Sequence, residues 1–427
     1  MSQTDLWSFS ATEMVAAIAD RTTSCTEVAT ACLDRIEKRE HVVKAWNHLD
    51  PELTLASARD LDRKQVRGPL HGVPFGVKDI VDTDDMPTEL GTPIHRGSRP
   101  ARDATCVALT RRAGANLMGK TVTTEFANVT PGPTRNPLDQ ERTPGGSSSG
   151  SAAAVADMMV PLAIGTQTTG STIRPASYCG VFGYRPTWAD LSTSGVMEVS
   201  GSLDTLGILA RSIEDVSLYR DVLLGVDPVP LDAPETPPRI GLCRPHFWSR
   251  IPSETRDLLE KEARRLADAG ATVVEVLPPG DFAGLDEAHR WISSFEMSRN
   301  LTWEIENRWD ELSEGLRNGR LRDGLSCTHE LYLAMKERAE TARRLVPDLF
   351  EDCDVLLTPA AATEAPPGWD PVPDPWVYMM WTVLHVPVVT VPILTGPAGL
   401  PIGVQVVGQP NRDRALLSAA KWMVDSK

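Results

Sequence analysis

The fold is decided by two neighbouring segments, Gly145-Gly-Ser-Ser-Ser-Gly-Ser-Ala-Ala-Ala-Val-Ala156 and Val160-Pro-Leu-Ala-Ile-Gly-Thr-Gln-Thr-Thr-Gly-Ser-Thr-Ile-Arg-Pro175. In them, two glycine loops that contain serine flank a helix pattern and a strand pattern. Alanine favours the helix most and serine caps helices well, which predicts a helix over about residues 149–158. The apolar run at residues 160–164 predicts a short buried strand.

The two serine loops are expected to meet at one end of this helix and strand. The helix advances roughly 15 Å and the strand returns roughly 20 Å, so Ser147 and Ser171 fall at the same end of the layer. A serine hydroxyl needs a base to act as a nucleophile, and the predicted strand at residues 73–80 contains a candidate, Lys78. Burial on a central strand disfavours the ammonium and lowers the lysine pKa, as a lysine base requires.

The composition describes a globular chain with reduced thiols. Its 427 residues are 41% apolar and 24% charged, with a net charge of −15, which argues against a nucleic-acid partner. The seven cysteines show no paired spacing, and residues 1–30 have no basic start or apolar core of a signal peptide. A cytoplasmic location is therefore predicted. No apolar run reaches about 18 residues, so no membrane span is expected.

Strand and helix patterns alternate over most of the chain, which predicts a single large α/β domain. We expect a mixed, mainly parallel central sheet between helical layers. The predicted helices lie at about 11–20, 25–39, 51–64, 104–112, 253–268 and 412–425. The predicted strands lie at 73–80, 115–119, 160–164, 239–243, 271–276, 354–358, 386–393 and 403–407.

Residues 146–150 also match the G-x-S-x-G elbow of α/β-hydrolases, with Ser148 at the centre. That elbow needs a strand directly before it, and residues 137–144 form a turn-rich loop instead. A serine/histidine esterase nevertheless stays open as an alternative. Its histidine would come from His246, His289, His329 or His385.

Phosphate and metal sites find little support in the sequence. The glycine loop ahead of a helix lacks the Gly-Lys-Ser/Thr ending of a phosphate-binding P-loop. The chain contains no His-Glu-x-x-His motif, no cysteine pair and no acidic calcium loop. We therefore expect neither a metal nor a cofactor.

The chain closely resembles the amidase signature family. Seven segments, each unspecific alone, carry this resemblance in the expected order: residues 72–79, 124–127, 134–137, 142–156, 165–180, 354–359 and 399–408. The resemblance implies one amidase domain over residues 1–427. We divide it into an N-terminal helical cover (1–64), a catalytic core (65–225), and a variable helical region with C-terminal strands that close the core (226–427).

The resemblance also implies a Ser–cis-Ser–Lys triad. Lys78 takes the lysine position, Ser147 is the bridging serine after a cis peptide bond from Gly146, and Ser171 is the nucleophile that forms an acyl-enzyme. The backbone N–H groups implied for the oxyanion hole belong to Thr168, Thr169, Gly170 and Ser171.

The loop before Ser171 departs from the common family pattern. Gln167 stands where an aspartate is usual, and Thr169 replaces a glycine. Arg174 follows the nucleophile by three residues instead of two, which resembles the malonamidase branch, where that arginine binds a substrate carboxylate. Gln167 and Arg174 are therefore candidate substrate-binding residues, and a role for Arg174 in bracing loop carbonyls stays equally open.

The function implied by the resemblance is hydrolysis of a carbon–nitrogen bond in a small-molecule amide. A carboxylate-bearing amide or a urethane or urea-like substrate both fit. The alternative within the family is an amidotransferase A-type subunit that releases ammonia from glutamine to a partner. The resemblance alone also raises the prospect of a homodimer that uses the N-terminal helices.

Overall fold

The computed structural model describes residues 3–64, 68–370 and 372–427, and one sheet of eleven strands runs through it. The strands are β1 (Trp46–Leu49), β2 (Pro74–Lys78), β3 (Asn116–Thr121), β4 (Leu162–Gln167), β5 (Phe182–Arg185), β6 (Thr205–Ala210), β7 (Arg239–Cys243), β8 (Thr272–Val276), β9 (Val355–Pro359), β10 (Val388–Thr395) and β11 (Pro401–Val407). Their order in the sheet is β1-β3-β2-β4-β6-β5-β10-β11-β9-β7-β8.

Helices cover both faces of the sheet. Those in the described residues are α1 (Ala11–Ala19), α2 (Cys25–Val43), α3 (Pro51–Arg63), α4 (Thr105–Arg112), α5 (Ser149–Ala156), α6 (Ile173–Cys179), α7 (Ile213–Leu224), α8 (Ser253–Asp268), α9 (Leu285–Asn300), α10 (Thr302–Asn307), α11 (Glu314–Leu316), α12 (Arg322–Ser326), α13 (His329–Arg344), α14 (Trp376–Val383) and α15 (Asp413–Asp425). A π-helical segment, Arg317–Leu321, joins α11 to α12.

The single α/β domain with a mixed sheet agrees with the sequence prediction, but the sheet is not mainly parallel. Six strand pairings are antiparallel and four are parallel. Strands β6 and β10 account for four of the antiparallel pairings. Hydrophobic periodicity reports which residues form a strand and carries no information on its direction.

Strand β2 lies near the middle of the first half of the sheet. It pairs in parallel with β3 on one side and with β4 on the other. All five of its residues are buried, as expected for a strand covered by helices on both faces. Lys78 therefore ends a strand that has no solvent face.

The N-terminal helices begin where the sequence predicts. Ser10 and Glu13 form a capping box at α1, and Ser24 and Glu27 form one at α2. In each, the serine hydroxyl and the glutamate carboxylate satisfy backbone N–H groups that a helix start leaves without partners.

The strands β10 and β11 join the two parts of the sheet, because β10 pairs with β5 and β11 pairs with β9. The predicted core (65–225) and the predicted C-terminal region (226–427) thus share one sheet, and their common boundary stays a prediction. The predicted boundary at residues 64 and 65 adjoins residues 65–67, which lie outside the described residues, as does Pro371 of the predicted loop 361–375.

The seven cysteines are all free and all buried. No helix in the described part of the chain has the length and apolar character needed to cross a membrane. Within the same residues, no group of three or more metal-ligating side chains comes together.

Candidate active site

Lys78 and Ser147 form the buried centre of the site. Lys78 Nζ lies 2.6 Å from Ser147 Oγ and 2.8 Å from Thr166 Oγ1. The side chains of Lys78 and Ser147 are both 0% exposed. Burial lowers the pKa of Lys78 to about 7, although the charge of Asp204 acts in the opposite direction. A large fraction of this lysine is thus neutral near neutral pH and able to accept a proton.

Ser171 lies next to this pair, in the turn between β4 and α6. The backbone N–H of Ser148 donates to the carbonyl of Ser171 at 3.2 Å, so the two serine loops meet as the sequence predicts. The Gly146–Ser147 peptide bond is cis, as the resemblance implies. Ser171 is 7% exposed whereas Ser147 is fully buried, so Ser171 is the more accessible of the two serines.

The turn before Ser171 leaves backbone donors available. Among the described residues, the N–H groups of Thr169, Gly170 and Ser171 have no hydrogen-bond acceptor. Buried N–H groups are rarely left without partners, so their grouping here fits an oxyanion hole. Thr169 does not have a positive φ, so the β-branched residue in place of the usual glycine is compatible with this turn.

Gln167 holds the same turn from inside. Its Oε1 accepts hydrogen bonds from the N–H groups of Thr172 and Ile173, at 3.0 and 3.1 Å. The side-chain oxygen is therefore occupied by the backbone at the start of α6. This geometry supports a positioning role for Gln167 in place of the substrate contact expected from the sequence.

Asp204 supports the turn from the start of β6. Its carboxylate accepts from Thr168 Oγ1 at 2.5 Å and from the backbone N–H groups of Val199 and Ser200. Burial raises the pKa of Asp204 to about 6, while these hydrogen bonds lower it. A cavity of about 70 Å³ is lined in part by Thr166, Thr168 and Asp204. The cavity therefore adjoins both the turn and Thr166, which contacts Lys78.

Helix α14 covers the other side of the turn. Thr382 Oγ1 donates to the carbonyl of Thr169 at 2.8 Å. Gly170 faces Tyr378 so closely that a Cβ at this glycine would lie 2.3 Å from a ring carbon. Glycine is thus required at position 170 by the close approach of the tyrosine ring.

Arg174 is packed into the interior. It is 1% exposed, its Nη1 donates to the carbonyl of Gly146 at 3.4 Å, and its guanidinium lies 5.0 Å from the centre of the Tyr378 ring. These contacts connect the serine loop at Gly146 to α14. They favour the bracing role among the two roles left open by the sequence.

The serine/histidine alternative gains no support from the geometry. Ser148 Oγ donates to the carbonyl of Thr166 at 3.3 Å and is fully buried. His289 Nε2 lies 2.9 Å from the carbonyl of Thr168, and since a carbonyl only accepts, this nitrogen carries the proton. His385 Nε2 contacts the carbonyl of Ser202 at 2.8 Å. Both of these histidines thus use Nε2 on a backbone carbonyl instead of a serine hydroxyl.

A second buried lysine supports the end of β2. Lys120 Nζ lies 3.4 Å from Asp79 Oδ1 and donates to Thr88 Oγ1 at 2.6 Å. Burial raises the pKa of Asp79 to about 6, and the charge of Lys120 acts against this. Asp79 and Lys120 thus form a buried ion pair at the end of β2.

The chain belongs to the amidase family. The family model described as Amidase matches residues 27–417. Enzymes of this family act on carbon–nitrogen bonds, which agrees with the buried lysine, the paired serine loops and the free N–H groups of the turn.

Similar proteins include both amidotransferase components and amidases. The chain is 33% identical to a glutamyl-tRNA(Gln) amidotransferase subunit of Chloroflexus aggregans, over 94% of this chain and 93% of that protein. A crystal structure of an amidase superposes with a TM-score of 0.90 at 28% identity, covering 98% and 99% of the two chains. The native peptide amidase of Stenotrophomonas maltophilia has a TM-score of 0.82 at 27% identity, covering 97% and 96%.

The sequence patterns do not indicate three residues at the site: Thr166, Asp204 and Arg320, whose Nη2 donates to Thr169 Oγ1 at 3.4 Å. Each contacts the core of the site from an element distant in sequence or carries a common side chain without a motif. Thr166 has the best available signal, because it lies on the strand that pairs with β2 and only five positions before Ser171.

Proposed function

We propose that this protein is an amidohydrolase that cleaves a small-molecule amide through an acyl-enzyme on Ser171. The observation that carries the proposal is the 2.6 Å contact between the buried Lys78 Nζ and Ser147 Oγ, directly beside the Ser171 turn. A lysine that is largely neutral near pH 7 is able to act as the base for a serine nucleophile.

The proposed proton path runs from Ser171 through Ser147 to Lys78. Ser147 Oγ contacts Lys78 Nζ, and no hydrogen bond joins it to Ser171 Oγ among the described residues, so the path requires the two hydroxyls to come together when substrate is bound. Ser171 Oγ then attacks the amide carbonyl as Ser147 Oγ accepts its proton and passes its own to Lys78. The proton returns to the leaving amine, and water releases the acid.

The proposed oxyanion hole consists of backbone N–H groups of the turn. Those of Thr169, Gly170 and Ser171 are free of acceptors in the described structure, and that of Thr168 completes the expected set. Loss of one such donor typically reduces the rate by about 10²–10³-fold. The contacts of Gln167 and Thr382 hold these groups in place before substrate arrives.

The first test compares wild type with Ser171→Ala on a panel of small amides, by ammonia release. We expect Ser171→Ala to lower kcat by about 10³-fold or more, since the nucleophile is lost. Ser149→Ala is the matched control, because its buried hydroxyl contacts the carbonyl of Val122 and has no part in the proton path. Full turnover by Ser171→Ala would refute the assignment.

A second candidate function is ammonia release from glutamine within a larger complex. The 33% identity to a glutamyl-tRNA(Gln) amidotransferase component over nearly the full length of both proteins supports it. Glutamine hydrolysis that depends on an added partner protein, with little activity on other amides, would favour this candidate. Turnover of simple amides by the isolated chain would favour the amidohydrolase.

We further propose a cytoplasmic enzyme that forms a homodimer through its N-terminal helices, without nucleic-acid or membrane partners. Seven buried free thiols fit a reducing compartment. Light scattering on the purified chain tests the dimer, and a monomer at micromolar concentration would contradict it.

A further inference from the structure

The π-helical segment Arg317–Leu321 brings an arginine to the Ser171 turn. Gly319 leaves the helical conformation with φ −100° and ψ −111°. The next residue, Arg320, directs its guanidinium to Thr169, where Nη2 donates to Oγ1 at 3.4 Å. Single π-helical turns are rare and are found frequently at functional sites.

Arg320 lies within reach of the charges of Asp204 and Asp323, which raise its pKa against the effect of burial. Within the described residues, no carboxylate forms an ion pair with Arg320, and the nearby Asp323 is engaged by Arg290 at 2.7 Å. Burial lowers the pKa of Arg320 to about 10, so the guanidinium stays charged at neutral pH. His289 contacts the same Thr169 hydroxyl at 3.2 Å, and burial with the Arg320 charge lowers its pKa to about 3.

The group that faces the turn is therefore a half-buried cation beside a neutral imidazole. A charge held away from water is unfavourable until it is paired. The planar guanidinium fork suits a carboxylate, which it is able to bind through two parallel hydrogen bonds. The position beside the nucleophile makes the substrate the natural source of that carboxylate.

We propose that Arg320 binds a carboxylate of the substrate, so that the enzyme prefers short amides that carry a carboxylate a few carbons from the scissile bond. This inference rests on the proposed amide hydrolysis. Thr169 precedes Ser171 by two residues, and their Cα atoms lie at most about 7.6 Å apart. The anion at Arg320 is thus close to the reacting carbonyl, which excludes a long spacer.

Arg174 does not compete for this role in the structure. Its guanidinium is covered by Tyr378 and bonded to the carbonyl of Gly146, and its side chain is almost without solvent contact. Arg320 is half-buried, and its guanidinium contacts the turn at Thr169. The carboxylate selection that the sequence places on Arg174 is therefore reassigned to Arg320.

The test uses two amides of equal chain length, succinamate and butyramide, which differ in the carboxylate. We expect wild type to prefer succinamate. Arg320→Gln is expected to lower kcat/KM for succinamate by about 10- to 100-fold, mainly through KM, because a hydrogen bond between charged groups is lost. Butyramide turnover should change by less than about threefold. Arg322→Gln is the matched control, since Arg322 lies on the same segment with its side chain 68% exposed.

Two outcomes overturn the inference while amide hydrolysis stands. The first is equal turnover of both amides by wild type, and the second is an equal loss on both amides in Arg320→Gln. If neither amide is hydrolysed, the proposed function fails, and calorimetric binding of succinate then decides on the anion site. Equal affinity of wild type and Arg320→Gln for succinate would overturn it, and weaker binding by the variant would support it.

Discussion

Lys78 differs from a surface lysine in two respects that both follow from its strand. It ends β2 between two neighbouring strands, and its amine contacts hydroxyl groups instead of a carboxylate. Burial without a directly bonded anion favours the neutral amine. The position in the sheet therefore prepares this residue to take a proton.

The activity is predicted to depend on pH through Lys78. Its pKa is lowered to about 7, and the neutral form is the base, so kcat/KM should rise with pH through that value. Below it we expect about a tenfold loss for each unit of pH. Initial rates on one amide across pH 5–9 measure the midpoint. A profile that is flat between pH 5 and 8 would contradict the assignment.

Two variants test the role of charge at Lys78, one through its pKa and the other through activity and stability. The Asp204 carboxylate raises the pKa of Lys78, so Asp204→Asn should move the midpoint to lower pH. Lys78→Met should lose about 10²–10⁴-fold in rate and keep a Tm at or above that of wild type, because a buried amine is replaced by an apolar chain.

Among single residues, the sequence predicts the three proposed catalytic side chains but not the side chains that contact and position them. Lys78, Ser147 and Ser171 follow from loop and strand patterns together with the family resemblance. Thr166 and Asp204 were missed because their roles depend on contacts between β4, β2 and β6 that no local pattern encodes.

The element that controls the site is the turn from β4 into α6. Gln167 ends the strand and bonds the first backbone N–H groups of the helix region. Tyr378 and Thr382 of α14 contact the turn from outside. The backbone from Thr168 to Ser171 is thus fixed from both sides, as preorganised donors require.

Replacing Gln167 should disturb stability and rate together. Gln167→Leu leaves the N–H groups of Thr172 and Ile173 buried without an acceptor, which costs about 1–3 kcal/mol. We expect a lower free energy of unfolding in urea and a fall in kcat with little change in KM. Gln167→Glu keeps an acceptor near a helix start and should recover most of the loss. Equal stability of the leucine and glutamate variants would contradict this role.

The success of prediction differs among elements for physical reasons. Helices α1 to α3 have caps and amphipathic patterns, so their bounds agree with expectation within a few residues. Strands β5 and β6 were not predicted, because they are buried strands of four and six residues without alternation. Short apolar runs of this kind are compatible with several structures.

In the whole molecule the proposed active site lies between the central sheet and helices of the C-terminal half. The sheet supplies Lys78 and Thr166, whereas α9, the π-helical segment and α14 contact the Ser171 turn. Replacing those helices changes the walls of the site without changing the sheet. This arrangement separates the residues proposed to carry out the reaction from those proposed to select the substrate.

The cysteine thiols are predicted to be unreactive in the folded protein. All seven are buried, and burial raises the pKa of Cys32 and of Cys106 to about 12, so little thiolate is available for reaction. We expect almost no reaction with an aromatic disulfide reagent within minutes at neutral pH, and seven thiols after unfolding in guanidinium. A stoichiometric rapid reaction in the native state would contradict the described burial.

Prediction at this scale succeeds for the class of fold and fails for strand direction. Alternating helix and strand patterns indicate one α/β domain, and the single sheet agrees. The antiparallel contact of β10 with β5 depends on the path of the chain across about 200 residues, which local periodicity does not report.

The insertion of β10 between β5 and β11 has a consequence for the chain as it leaves the ribosome. Strand β5 ends at Arg185, but β10, which pairs with its second edge, begins only at Val388. At about 5–20 residues per second, synthesis of that interval takes on the order of 10–40 s. An open strand edge is a template for aggregation during that time. The yield of this protein in a host cell should therefore depend on chaperone supply far more than the stability of the finished fold suggests.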